Sequence, residues 1–197
     1  MRPKHLAISL SKLAPHPCEN VGLEQYATEG DLASYWMLAV DELDGFEEKS
    51  VADMGAGNGI LGIAALLLGA ARVVFVETDP SAITVLEDNI ASLHTDLQAK
   101  AEVVCATVGV DDVPLDGVDI IVMNPPWGVS EKGPTGPFWK RPFPQKPQRC
   151  MSSTATEPHT SNRWQRTTTG GQKRFSERSS DFLRRTNIMP NEKGKPM

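Results

Sequence analysis

The chain has 197 residues, 40% hydrophobic and 6% aromatic, with a formal net charge of −5. That is enough for one sizeable domain, and it excludes a bilayer span, because the longest apolar run, Ile60 to Ala71, falls short of the ~20 residues a membrane helix needs. The charge is unevenly spread: Met1 to Phe138 carries 21 acidic and 7 basic residues, whereas Trp139 to Met197 carries 4 and 13.

An acidic, lysine-poor surface keeps a protein dispersed in concentrated salt, so the first part predicts a halophilic source. Cys18, Cys105 and Cys150 form neither a CxxC pair nor a disulfide framework, which fits a reducing cytoplasm. The amino-terminal apolar run is broken by Ser9, Ser11 and Lys12, so no signal peptide is expected.

In chain order, Lys4 to Leu13 has partial helical spacing through Leu6, Ile8, Leu10 and Leu13. Leu23-Glu-Gln-Tyr-Ala-Thr28 follows as a loop, where Gln25, Tyr26 and Thr28 can close over a ligand; by position alone Tyr26 reads as a packing anchor. Asp31 is the expected N-cap of a helix running to about Leu43. Ser50-Val-Ala-Asp-Met-Gly-Ala-Gly-Asn-Gly59 then gives a strand, an acid at Asp53 and three glycines at alternate positions, before an apolar helix that stops near Gly69. Strand, glycine loop and helix bring backbone N–H groups against an anionic ligand group. The D-x-G-x-G-x-G spacing differs from G-x-G-x-x-G, which argues against a nicotinamide dinucleotide. Arg72 to Val76 is a second strand leading to Glu77-Thr-Asp79-Pro80. An acid at that strand end can accept both hydroxyls of a ribose, and Asp79 can also cap the helix from Ser81 to Asn89. Ala101 to Ala106 reads as the third strand. His94 reads as a surface residue, since no second His or Cys keeps metal spacing with it, and no metal site is expected.

The fourth strand, Asp119 to Met123, is apolar along Ile-Ile-Val-Met and runs into Asn124-Pro-Pro-Trp-Gly128. Pro125 restricts Asn124 to extended geometry and directs its amide off the strand end. Such a rigid acceptor suits a planar exocyclic amine, a poor nucleophile because its lone pair is delocalised. Accepting the amine's two hydrogens at the Asn124 side-chain oxygen and the Pro125 carbonyl favours a pyramidal nitrogen that can attack. Trp127 can stack on a base that has left its helix. Taken alone, the four residues fit a Pro-Pro turn beside a core tryptophan equally well.

Together, Asp53-Met-Gly-Ala-Gly-Asn-Gly59, Glu77-Thr-Asp79 and Asn124-Pro-Pro-Trp127 resemble the class I S-adenosylmethionine-dependent methyltransferases that act on amino groups. With Leu23-Glu-Gln-Tyr-Ala-Thr28 and Gly128 added, the chain resembles the archaeal and eukaryotic methyltransferase-like-five family, which methylates N6 of an adenosine in small-subunit ribosomal RNA. The resemblance covers about Leu6 to Phe138. It implies an α/β fold: a Rossmann-like sheet with helices on both faces. It implies that Asp53, Gly55 and Gly57 hold the amino-acid end of S-adenosylmethionine under Gln25, Tyr26 and Thr28. It also implies that Glu77 binds the ribose with Asp79 near it, and that Asn124, Pro125, Pro126 and Trp127 are catalytic. RNA and a small zinc-binding activator protein are the implied partners. Where the family has an acid that contacts the donor's adenine, this chain has Ala106-Thr107. Acceptors with the same planar amine are DNA adenine and a protein glutamine; a chain that only binds RNA or the donor is the non-catalytic alternative.

The basic segment 139–197 departs from that family and lacks apolar periodicity, so it reads as a disordered arm or as a shifted reading frame. One cytosine lost between the Phe138 and Trp139 codons is sufficient: restoring it to TTC-TGG-AAG-CGG-CCT-TTC gives FLEAAF. With permitted codons the restored frame lets Met151 to Gln172 read HVLHSDGATHIQPLAEDNDWRA. On this reading residues 1–138 hold the methyltransferase domain, the carboxyl-terminal strands are missing or disordered, the fourth strand is a bare edge, and the chain is unstable.

Overall fold

The computed structural model describes residues 1–18, 27–113 and 115–124, with the backbone of three further strands at 149–154, 163–168 and 171–174. Four parallel strands form the centre: β1 (Ser50–Met54), β2 (Arg72–Glu77), β3 (Ala101–Cys105) and β4 (Ile120–Met123). β2 and β3 lie on one side of β1 and β4 on the other, in register Asp53↔Phe75 and Asp53↔Val122. The chain therefore reverses its direction of growth beside β1. A crevice at the carboxyl ends of β1 and β4 is where open α/β sheets bind ligands.

Both faces of β1, β2 and β4 are buried. Val51, Val73, Phe75, Ile120 and Val122 join one apolar cluster, while Ala52, Met54, Val74, Val76, Ile121 and Met123 join the other. Alternation of this kind is what makes parallel strands read as unbroken apolar runs. The first cluster is covered by α1 (Pro3–Leu10), α2 (Gly30–Asp44), α3 (Ile60–Leu67) and α4 (Pro80–Ala91), through Leu6 and Leu10, Trp36 and Met37, Ile63 and Leu66, and Leu86. The second takes Ala106, Val108, Val113, Leu115 and Val118 from the connection between β3 and β4. Asp119, at the entry to β4, accepts the Ser50 N–H at 3.0 Å and so ties the starts of β4 and β1 together.

The expected elements are found with small shifts at their ends. Pro3 sets the start of α1 because a proline fits the first helical turn, where no N–H is needed. The N-cap of α2 is Glu29, with no side-chain cap bond, so Asp31 falls inside the first turn rather than capping it. Asp79 does cap α4, accepting from the Ser81 N–H at 2.9 Å. A short α5 (Thr95–Gln98) interrupts the expected connection, and His94 is exposed and accepts from the Asp96 N–H.

The sheet does not end at β4, contrary to the expectation of missing strands and a bare fourth edge. β5 (Arg149–Thr154) runs parallel to β4 with Ile120 beside Arg149 and Met123 beside Ser152; β6 (Arg163–Thr168) and β7 (Gly171–Arg174) add antiparallel to give the order β3-β2-β1-β4-β5-β6-β7. Strand pairing uses main-chain groups that any sequence carries, so a polar segment can close the edge of an apolar strand.

One glycine fixes how closely α3 lies on the sheet. A Cβ added to Gly62 would run into the ring of Phe75 on β2, a fully buried side chain. Gly62→Ala is therefore expected to lower stability by about 1–3 kcal/mol through overpacking. Adding Phe75→Leu should recover part of that loss in a double-mutant cycle read by urea melts. Simple additivity of the two losses would show that the helix is not seated on Phe75.

Candidate functional site

The site is built on the carboxyl ends of β1, β2 and β4. Past Met54 the chain turns through Gly55 and Ala56, whose N–H groups donate to the Val76 carbonyl at 2.8 and 2.9 Å, pinning the loop to β2. Gly57 and Gly59 have φ of 56° and 83°, in the left-handed region where a side chain is strained. The Gly57 N–H donates to Glu77 Oε2 at 2.8 Å, and Glu77 Oε1 accepts from the Thr78 and Asp79 N–H groups at 2.8 and 3.0 Å. Glu77 is thus buried yet fixed by three main-chain donors. These charge-assisted bonds offset the cost of removing a carboxylate from water.

Asp53 lies deeper. Its Oδ2 accepts the Gly62 N–H at 2.8 Å, linking β1 to the first turn of α3, while its buried Oδ1 has no hydrogen-bond partner among the described residues. Burial pushes its pKa up to about 8; the Gly62 bond opposes the shift, and the negative charge of Glu77 adds to it. The site therefore holds closely spaced acids, one of them buried with no compensating cation among the described residues.

Of the residues singled out from sequence, Asp53, Gly55, Gly57, Glu77 and Asp79 are brought together around this loop. Asp79 is engaged as a cap by Ser81, whose hydroxyl also donates to it at 2.8 Å. Thr28 and Asn124 are brought together independently: Asn124 Nδ2 donates to Thr28 Oγ1 at 3.1 Å, joining the strand end to a residue two positions before α2. Gln25, Tyr26, Pro125, Pro126 and Trp127 lie outside the described residues.

Three participants were not singled out. Asn58 and Asn89 jointly hold the main chain of Ala14. Asn89 Oδ1 accepts the Ala14 N–H at 2.7 Å, and the Ala14 carbonyl accepts from Asn58 Nδ2 at 2.9 Å and Asn89 Nδ2 at 3.1 Å. His16, two residues on, lies against Gly57. The available signal was Asn89 itself, a polar residue in phase with Ala82 and Leu86 on the buried stripe of α4. At the end of β3 the Thr107 hydroxyl meets that of Thr78 at 2.9 Å, and the Thr107 N–H donates to Asp111 Oδ2 at 2.7 Å. No cluster of three or more metal-binding side chains occurs among the described residues, nor is any helix among them long and apolar enough to cross a membrane.

This architecture is shared with known proteins. A family model for ribosomal protein L11 methyltransferase (PrmA) matches residues 36–125. The crystal structure of PH1948, a candidate RNA methyltransferase from Pyrococcus horikoshii, is 38% identical, with a TM-score of 0.68 over 80% of this chain and 75% of that one. The uncharacterised Methanocaldococcus jannaschii protein MJ0284 is 31% identical over 142 residues, 67% of this chain and 62% of that protein. The rRNA N(6)-adenosine-methyltransferase metl-5 of Caenorhabditis elegans is 33% identical over 122 residues, 60% of this chain and 56% of that protein. The chain thus spans less than two thirds of the length of these curated relatives. It belongs to the class I S-adenosylmethionine-dependent methyltransferases, in the branch that includes RNA methyltransferases.

The residues present fit that cofactor. S-adenosylmethionine carries an ammonium and a sulfonium, and the unpartnered Asp53 oxygen beside Glu77 marks a place where positive charge is missing. Positive φ at Gly57 and Gly59 keeps a side chain off the turn, and the room a Cβ would take there is filled by His16 and Leu86.

The raised pKa of Asp53 predicts a stability profile. Its folded-state value lies above the unfolded 3.8, so its contribution is fully present below about pH 4 and is lost as pH rises through about 8. Relative to Asp53→Asn, which stays neutral, the wild-type melting temperature should fall from about pH 4 to 8 and then level off. Circular dichroism melts of both chains at about pH 5, 7 and 9 check this, and a pH-independent difference contradicts it.

Proposed function

We propose that this chain methylates N6 of an adenosine in RNA, with small-subunit ribosomal RNA as the substrate. The observation that carries the reading is the Thr28–Asn124 bond beside the glycine loop, which fixes the end of β4 from the side where α2 begins. The likeness to metl-5, named as an rRNA N(6)-adenosine-methyltransferase, supports the choice of acceptor.

When bound, S-adenosylmethionine supplies an electrophilic methyl group on a sulfonium sulfur. Glu77 would accept hydrogen bonds from the ribose hydroxyls and Asp79 would lie near it, while Asp53, Gly55 and Gly57 face the amino-acid end. Gln25, Tyr26 and Thr28 would close over the donor. Nδ2 donates to Thr28, and the Asn124 side-chain oxygen would accept from the target amine. Pro125 would accept the second hydrogen, Pro126 stiffen the turn, and Trp127 stack on the flipped base. Because phosphate contacts are screened in concentrated salt, an acidic surface can still bind RNA by shape and stacking.

A second reading keeps the donor and places the acceptor on a protein. It is favoured by the match to the ribosomal protein L11 methyltransferase family over residues 36–125. Incubation with labelled donor and separate RNA, DNA and protein acceptors, with and without a small zinc-binding activator protein, separates the readings. RNA should be labelled at adenine N6. Asn124→Ala should lower that rate at least about a hundredfold, the scale of losing one positioned polar group, while changing donor affinity less than about threefold. Labelling of protein alone, or an undiminished rate in Asn124→Ala, contradicts the proposal.

We also propose that residues 139–197 are read in a shifted frame. In support, β4 is apolar throughout, yet its partner β5 reads Arg-Cys-Met-Ser-Ser-Thr, whereas a strand inside a parallel sheet is ordinarily apolar on both faces. The nucleotide sequence around the Phe138 codon decides this: an added cytosine in an independently sequenced copy supports it, and an identical sequence refutes it.

A further inference from the structure

The segment after α1 is held against the glycine loop, and its role is not accounted for by the donor-binding residues named so far. Both main-chain polar groups of Ala14 are satisfied by Asn58, in the glycine loop, and Asn89, on α4. Asn89 Nδ2 also donates to the Asn58 carbonyl at 2.9 Å, so the loop, the helix and the segment form one connected set. The clamp presents His16 to the loop. A Cβ built on Gly57 would lie 2.6 Å from His16 Cδ2 and 3.2 Å from Nε2, so the imidazole rests on the α-carbon of the glycine whose N–H holds Glu77.

The ring has a defined protonation pattern. His16 Nδ1 accepts the Cys18 N–H at 2.9 Å, which it can do only when unprotonated, so the neutral ring carries its hydrogen on Nε2. Protonating Nδ1 breaks that bond. Among the described residues, the charged groups that act on the ring are Glu77 and Asp79, from the turn between β2 and α4. Burial lowers the His16 pKa and the two acids oppose the shift, leaving it below the ordinary 6.5 and the ring neutral at pH 7.

We propose that His16 is a further residue of the S-adenosylmethionine site, its neutral imidazole closing the outer side of the glycine loop against the bound donor. The proposal rests on the donor assignment above. A neutral ring covers the sulfonium ligand without repulsion, whereas a protonated ring adds a like charge and loses its hold on Cys18. Donor binding is therefore weakened by acid through His16, over and above any linkage to Asp53.

Calorimetric titration of the full chain with S-adenosylmethionine, comparing wild type with His16→Ala, His16→Phe and Glu77→Ala, tests this. At about pH 7.5, His16→Ala should bind about tenfold more weakly, the equivalent of ~1.4 kcal/mol, while His16→Phe, which keeps a flat ring, stays within about threefold of wild type. On lowering the pH to about 5.5, the ratio of wild-type to His16→Phe dissociation constants should rise at least about threefold; linkage to Asp53 is common to both chains and cancels. The His16 ring resonances should titrate below the ordinary value and shift when donor is added. Wild-type affinity in His16→Ala, with a pH-independent ratio and binding lost in Glu77→Ala, overturns the role of His16 and leaves the donor site standing. No binding by the wild-type chain overturns both. Melting curves of each variant show that it is folded.

Discussion

The hydrogen bond from the Gly57 N–H to Glu77, 2.8 Å long, is the constraint on which the rest of the site depends. It joins the loop after β1 to the end of β2, and it uses one oxygen of a carboxylate whose other oxygen is fixed by Thr78 and Asp79. A side chain at position 57 is opposed twice, by the positive φ that directs the N–H to Glu77 and by the His16 ring lying on its α-carbon. The glycine is there for geometry, and the ligand-binding shape follows from it.

Electrostatics turn that geometry into selectivity. Burial raises the pKa of Asp53, and the negative charge of nearby Glu77 adds to the shift. In the free chain this opposes ionisation of Asp53. Under the proposed function, a ligand with an ammonium and a sulfonium would supply the missing charge, so the same arrangement that costs stability would favour a cationic donor over a neutral one. The placement of Asn124 obeys a different rule: it is set by the end of β4 and by Thr28 rather than by charge. Under the proposed function, donor and acceptor would therefore meet at the crevice between β1 and β4 from separate structural causes.

Much of this was legible in the sequence. The four central strands, the glycine loop, Glu77 at its strand end and the Asp79 cap all announce themselves through local pattern, because each is a consequence of apolar run length, backbone freedom or a side chain bonding its own turn. The clamp on Ala14 was not legible, since it joins residues 75 positions apart, and only a polar Asn89 on an otherwise apolar stripe hinted at it. His16 was missed for the same reason: nothing near it in the chain reveals the Gly57 contact. The start of α2 was misplaced because Asp31 is a good capping residue that lies two residues past the true N-cap, Glu29. The strands beyond β4 were missed because main-chain pairing closed the apolar edge of β4 with a segment whose composition is polar.

The most direct measurement follows the backbone amides of the chain by NMR during titration with S-adenosylmethionine. If the glycine loop is the donor cradle and β4 ends at the acceptor side, the Gly55, Gly57, Gly59, Thr78 and Asn124 amides should shift together and saturate with one dissociation constant. Shifts confined to other surfaces, or no saturable change in these amides, would contradict that assignment of the site.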